Sequence, residues 1–230
     1  MLVKWGSIIV RGSGKLGGHV YSSGRSGASV HTSAKARNPQ TVYQTEVRSR
    51  FTKFTQGWRD LTESQRDTWY TAEENFSRTN RFGDVVTLSG KNLYEALNTQ
   101  RAIIGLGVLN VAPMPTELSK NTVTQTRFSV EFQALVVDGV FEPNTKYVVV
   151  ATKELSQGKR FSDEEMRIIG TGISTNDGTR LQDLEVLYDQ YVERFSTPTE
   201  NSKIFVGAYF INTSGQKGLV SSRLAVYSAD

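Results

Sequence analysis

Gly12, Gly14 and Gly17 stand in a Gly-x-Gly-x-x-Gly spacing just after the β-branched run Ile8-Ile9-Val10, with Lys15 inside it. That spacing can cradle a dinucleotide pyrophosphate if a helix follows and aims its N-terminal amides at the phosphates. It also needs an acid about 20 residues on for the ribose. Neither condition holds. The glycines lead into "HVYSSGRSGASV", which is β-prone and punctuated by more glycine, and the first acidic residue is Glu46. A phosphate loop fails as well, because Leu16 stands where a Ser or Thr must reach Mg²⁺ and Ile9 stands at the first glycine position.

Other groups able to do chemistry are sparse. Cysteine is absent, so there is no thiolate nucleophile, disulfide or thiolate metal site. The two histidines, His19 and His31, have no acidic neighbour to orient an imidazole and read as polar strand residues. Asp163-Glu164-Glu165 follows Lys159 and Arg160 and reads as a solvated turn. "TNDGT" at 175–179 lacks the later Glu of a calcium loop and reads as an Asn-Asp-Gly turn. The expectation is a protein that is not an enzyme, with no cofactor and no metal.

The charge distribution carries more. The net charge is +4, yet residues 1–45 contain Lys4, Arg11, Lys15, Arg25, Lys35 and Arg37 and no acid. A basic, glycine-spaced segment seeks an acidic surface, either nucleic acid or a protein face. Interleaved Arg and aromatic pairs are lacking, so nucleic acid is the less favoured partner and an acidic protein surface the preferred one. No apolar run is long enough for a membrane span, and the start of the sequence has none of the features of a signal peptide. Synthesis and retention in a cytosol are expected, without membrane association.

The elements that would position these residues fall into segments. Residues 1–37 form an extended basic β/coil arm. His19-Val20-Tyr21 and Ala28-Ser29-Val30-His31 can pair as a hairpin around residues 23–27. Too few large apolar side chains are present to order it, so it is expected to order against a partner. Residues 38–112 form a helical unit. After Asn38-Pro39, with Asn38 the candidate cap, apolar residues Tyr43, Val47, Phe51, Phe54, Trp58 and Leu61 make a stripe on a helix of about five turns. Thr62 and Gln65 form a capping box that starts a second helix, burying Trp69, Ala72 and Phe76 and completing an antiparallel helix hairpin. "SRTNRFGDVVTLSG" reads as a small hairpin. "GKNLYEALNTQRAIIGLG" reads as a third helix with Leu93, Leu97 and Ile104 inward.

Residues 113–121, with Pro113 and Pro115, read as a linker. From 122 to 230 the period becomes two. "TRFSVEFQALV", "KYVVVAT", "MRIIGTGI", "LEVLYDQYV", "KIFVGAYFI" and "GLVSSRLAVYS" read as strands, a density that suits a small antiparallel Ig-like β-sandwich. The fold class expected is α+β: arm, helical unit, sandwich.

Gly14-Lys15-x-Gly17, then Asn38-Pro39-x-Thr41-x-x-Gln44-x-x-x-Arg48-x-x-Phe51, then Trp58-x-x-Leu61-Thr62-x-x-Gln65-Arg66-x-x-Trp69, make a pattern over about half the chain. In it the sequence resembles a group of virion proteins of tailed phages and related prophages, and "LSGKNLYEALNTQRAIIGLGVLNVAP" resembles the segment that often follows there. The resemblance implies a phage virion structural protein, assembled in the host cytoplasm. The leading expectation is an auxiliary (decoration or cement) capsid protein, present in multiple copies in a symmetric assembly. Its partners would be the major capsid protein or other virion subunits. A tail or head–tail connector component is the alternative, and a DNA-associated internal virion protein the third reading. The partner-binding residues expected are Lys4, Arg11, Gly12, Gly14, Lys15, Gly17, Gly18, Arg25, Lys35 and Arg37. The cations would meet acidic residues, and the glycines would allow close backbone approach.

Overall fold

The structure is a computed structural model of the chain, and it describes residues 2–4, 12–24, 27–35, 38–80, 82–118, 121–129, 133–156, 158–159, 165–182 and 184–228. Helices and sheets are both present, an α+β architecture. The chain divides into two compact units, Met1–Thr99 with Leu109–Pro115, and Gln100–Val108 with Thr116–Asp230.

The first unit opens with four short strands, β1 (Leu2–Val3), β2 (Gly14–Leu16), β3 (His19–Gly24) and β4 (Gly27–Thr32), in an antiparallel sheet of order β1-β4-β3-β2. The expected hairpin is β3–β4, whose register closes on Gly24 opposite Gly27. The run Ile8-Ile9-Val10 lies outside the described residues.

Helix α1 (Val42–Asp60) begins at Thr41, whose Oγ1 accepts from the Gln44 amide at 3.3 Å. This corrects the expected cap at Asn38. Gln40 sits at φ 49°, which a helix interior cannot use, so the helix starts only after it. Asn38 instead accepts from Arg48 at 2.9 Å. Helix α2 (Glu63–Thr71) has the expected capping box: Gln65 N donates to Thr62 Oγ1 at 3.3 Å and Thr62 N to Gln65 Oε1 at 2.9 Å. Arg66 reaches back to the Arg59 carbonyl at 2.8 Å and so satisfies an orphan acceptor at the end of α1. A short hairpin of β5 (Arg78–Thr79) and β6 (Val85–Val86) precedes α3 (Gly90–Ile103).

Trp58, Trp69 and Tyr94 form the centre of this unit, the Tyr94 ring centre lying 5.5 Å from that of Trp58 and 5.3 Å from that of Trp69. Gly90 is required there, because a Cβ would lie 3.0 Å from the Trp69 carbonyl carbon and the Tyr70 nitrogen. Asn98, 1 % exposed, donates to the Tyr94 and Leu109 carbonyls at 3.1 and 3.2 Å and accepts from Leu109 N at 2.7 Å. The chain beyond it is held again by Trp69 Nε1 on the Asn110 carbonyl and by Ala112 N on Thr68 Oγ1.

The apolar stripe expected along all of α1 is buried only at its C-terminal half. Phe54, Trp58 and Leu61 are buried, whereas Val47 and Phe51 are 40 % and 54 % exposed and Tyr43 is half-buried. Length accounts for the exposure of Val47 and Phe51. Nineteen residues of α1 face nine of α2, and at 1.5 Å per residue a short helix cannot cover a long one. Phe76, expected to be buried, is half-exposed at the end of a 3₁₀ turn, Glu74–Phe76.

The second unit is a six-stranded sheet of β7 (Thr122–Ser129), β8 (Ala134–Val140), β9 (Lys146–Ala151), β10 (Arg167–Ile173), β11 (Lys203–Phe210) and β12 (Ser221–Ser228), with helix α4 (Leu184–Phe195). The strand order is β10-β9-β11-β12-β7-β8. Two expectations change. β12 runs parallel to β7, so the unit is not wholly antiparallel. "LEVLYDQYV", expected as a strand, is α4. Leu187, Tyr188 and Tyr191 fall on one helical face and are buried, while Val186 is half exposed. That i, i+1, i+4 burial has helical periodicity, which β-prone Leu, Val and Tyr disguise in a short window. "TRFSVEFQALV" also splits, ending β7 and beginning β8, with Gln133 at φ 45° in between; Val130, Glu131 and Phe132 lie outside the described residues.

The main core lies between α4 and the sheet, where Phe128 meets Tyr188, Tyr191 and Tyr227 edge-on or tilted at 4.8 to 5.7 Å. Tyr191 OH donates to the Thr152 carbonyl at 3.2 Å. The other face of β9 and β11 is also covered, with Val148, Val150, Tyr209 and Ile211 against Ile103 and Ile104. Burial on both faces explains why β9 reads as an unbroken apolar run. Residues 178–181 hydrogen-bond to β8 through Gly139 N, Phe141 N and the Val137 carbonyl. Gly178, at φ 68°, has no room for a Cβ, which would sit 2.3 Å from the Phe141 carbonyl oxygen.

Candidate partner-binding surface

The glycines that opened the question are strand and turn residues. Gly14 pairs with Tyr21, and Leu16 with His19, so Gly17-Gly18 is the two-residue turn of the β2–β3 hairpin. Gly17 at φ 56° supplies the positive dihedral that such a turn needs at its first central position. Strand β3 follows the turn, where a dinucleotide site would need a helix. Gly12 and Gly18 contribute carbonyls, accepting from Ser23 Oγ at 3.1 Å and Ser33 N at 2.7 Å.

Side chains alternate across this sheet. Registers put Val3, Leu16, Tyr21, Ser23, Ala28 and Val30 on one face, and Leu2, Lys15, Val20, Ser22, Ser29 and His31 on the other. The first face is the more apolar and the second carries the cation. Yet no described residue before Phe54 is buried, and Leu16 is 72 % exposed. Leu2, Val3, Val20, Tyr21, Ala28 and Val30 are half-buried, and none of the sheet's described side chains is fully withdrawn from water.

The predicted cations are spread rather than gathered. Lys15 lies on the outer strand β2 and Lys35 beyond the end of β4, both exposed. Lys4 follows β1 at the opposite end and is engaged within the chain. Its Nζ lies 2.9 Å from Asp84 Oδ1 and 5.3 Å from the Phe82 ring centre. The hydrogen bonds from Lys4 and Asn80 hold the Asp84 carboxyl below its ordinary range. Both partners of this ion pair are at least half exposed, so it contributes little to stability and exchanges readily for another acid. Arg11, Arg25 and Arg37 lie outside the described residues.

The acidic groups weighed in the sequence have structural surroundings. Asp177 accepts from Thr175 Oγ1, Thr179 N and Thr179 Oγ1, and these bonds pull its carboxyl down to about 2. It therefore organises the turn before Arg180, which binds Asp138 at 2.6 Å. Glu165 pairs with Lys159, while Asp163 and Glu164 lie outside the described residues. Among the described residues no group of three or more His, Asp or Glu side chains could hold a metal ion, and no helix is long and apolar enough to cross a membrane.

Sequence reasoning missed one surface, the exposed first half of α1.

No family model matches the chain. No curated protein matches it. Among solved structures it is similar to an Fn3-like protein from Clostridium thermocellum, at 12 % identity and a TM-score of 0.28, over 49 % of this chain and 94 % of that one.

Proposed function

We propose that this protein is a structural component of a bacteriophage virion, an auxiliary (decoration or cement) protein that binds and does not turn over a substrate. The N-terminal sheet would attach it to the capsid, through the major capsid protein or another virion subunit. One observation carries the reading: four strands are hydrogen-bonded into a sheet in which no described side chain is buried. A sheet whose apolar side chains are at most half-buried gains limited apolar burial to offset its ordering entropy, so a partner surface would complete it. The outer strand β2 offers an edge for strand addition, and the face of Val3, Leu16, Tyr21 and Val30 offers apolar area. Lys15 and Lys35, and Lys4 once it leaves Asp84, supply charge for steering and register on an acidic subunit.

The second unit is proposed as an Ig-like β-sandwich displayed by that anchor. Strands β9-β11-β12 stand in the order of the C, F and G strands, β7-β8 stand as A and B, and residues 178–181 pair with β8 as the next strand. Helix α4 closes the core where a plain sandwich would carry more strand. The phage assignment itself is supported by the resemblance of residues 14–69.

The test is co-sedimentation of the full chain, and of a truncation lacking residues 1–37, with DNA-free capsid shells. The full chain is expected in the pellet and the truncation in the supernatant, with residues 40–230 still folded by circular dichroism. Equal sedimentation of the two would remove the arm from the attachment role. Binding that needs DNA and falls steeply between low and physiological salt would move the protein inside the particle.

A further inference from the structure

We infer that the first half of α1 is a second docking helix, whose occupant is a separate polypeptide with an apolar groove rimmed by Asp and Glu. It rests on the proposed reading only in taking that polypeptide to be a virion subunit. At 100° per residue, Tyr43, Val47 and Phe51 continue the line of Phe54 and Trp58. Phe54 and Trp58 lie in the unit's own core and Tyr43 is half-buried, while between them Val47 is 40 % and Phe51 54 % exposed on an element that is fully helical. A rigid helix with exposed apolar side chains at i and i+4 is a form that grooves accept.

Charge selects the occupant. Lys53 flanks the stripe on one side and Arg48 and Arg59 on the other, against Glu46 alone within the first three turns. Glu46 is already spent on Arg50 at 2.6 Å. A second copy would bring two basic rims together, which like charge opposes. An anionic bilayer would suit the charge. It would demand a long apolar face lying flat, and here the face passes into the core after about two turns. An acid-rimmed protein groove satisfies both the short stripe and the rim.

The probe is a synthetic 18-residue helical peptide with Leu at heptad a and d positions and Glu at e and g, compared with the same peptide carrying Lys there. Fluorescence anisotropy with the full-length chain should show the Glu peptide binding at least tenfold tighter than the Lys peptide. Val47→Ala with Phe51→Ala should weaken it at least tenfold, and Arg48→Glu with Lys53→Glu should reverse the preference. Alanine keeps helix propensity, and unchanged tryptophan fluorescence and circular dichroism would show that each variant is folded. Equal affinity for the two peptides, or Glu-peptide binding indifferent to the alanine pair, would overturn the inference. So would concentration-dependent dimerisation, or binding to phosphatidylglycerol vesicles, that the alanine pair abolishes. The truncation lacking residues 1–37 should keep its peptide binding, so failure here and failure of the arm at the capsid shell are separate results.

Discussion

Asn98→Ala should loosen the first unit selectively, and its size follows from the three hydrogen bonds the side chain makes. Asn98 is 1 % exposed and joins the Tyr94 carbonyl to both backbone groups of Leu109. Removing it deletes bonds worth about 1 kcal/mol each and strands their partners, at about 1–3 kcal/mol for a buried orphan. Leu109 is only half-buried, so water recovers part of that penalty and the loss should be about 2–3 kcal/mol. Trp58 and Trp69 sit in the core of the first unit and no tryptophan follows them in the sequence, so tryptophan fluorescence in urea reads this unit. With a slope of about 1–2 kcal/mol per molar for a unit of this size, the midpoint should fall by roughly 1–3 M. A fall of less than about 0.3 M would refute the reasoning, since it would mean that residues 109–112 are held without Asn98.

Hydrogen exchange should separate the sheets, with amides of β3 and β4 exchanging orders of magnitude faster than those of β9 and β11. Protection of β3 equal to that of β9 in the free protein would contradict a partner-completed arm. Leu187→Ala, at a side chain with no exposure, should cost about 3–5 kcal/mol by thermal unfolding, and a loss under about 1 kcal/mol would mean that α4 does not close the core. Asp177→Asn should destabilise the protein near neutral pH. Because the folded carboxyl is held at about 2, below its ordinary 3.8, the stabilisation is complete above about pH 4 and fades as pH falls through 2. Wild type and variant should therefore converge in melting temperature toward pH 2, and a gap that stayed constant from pH 7 to 2 would exclude the ionised carboxylate as its source.

Local chemistry made much of the chain legible before any coordinates. The Thr62–Gln65 capping box depends on residues three apart and forms wherever the flanking sequence is helical. The β3–β4 hairpin follows from short β-prone runs on either side of a Gly/Ser cluster, where Gly27 takes a positive φ. The burial of Trp58 and Trp69 followed from helical spacing alone. The charge asymmetry of residues 1–45 is likewise a property of composition.

Other features required the folded chain. "LEVLYDQYV" has residues that serve a strand or a helix, and the choice belonged to a core that needed Leu187, Tyr188 and Tyr191 on one side. Asn38 was the cap expected from the sequence, and the backbone of Gln40 moved the helix start to Thr41. The stripe on α1 was visible as a stripe, but how far the core covers it depends on the reach of the neighbouring elements, which periodicity does not encode. The arm shows the same division. Its tendency to form strands is written residue by residue. That those strands pair in the order β1-β4-β3-β2 and still leave every described side chain in contact with water is a long-range outcome. Side-chain burial is a property of what lies opposite, and no window of sequence contains its own opposite face.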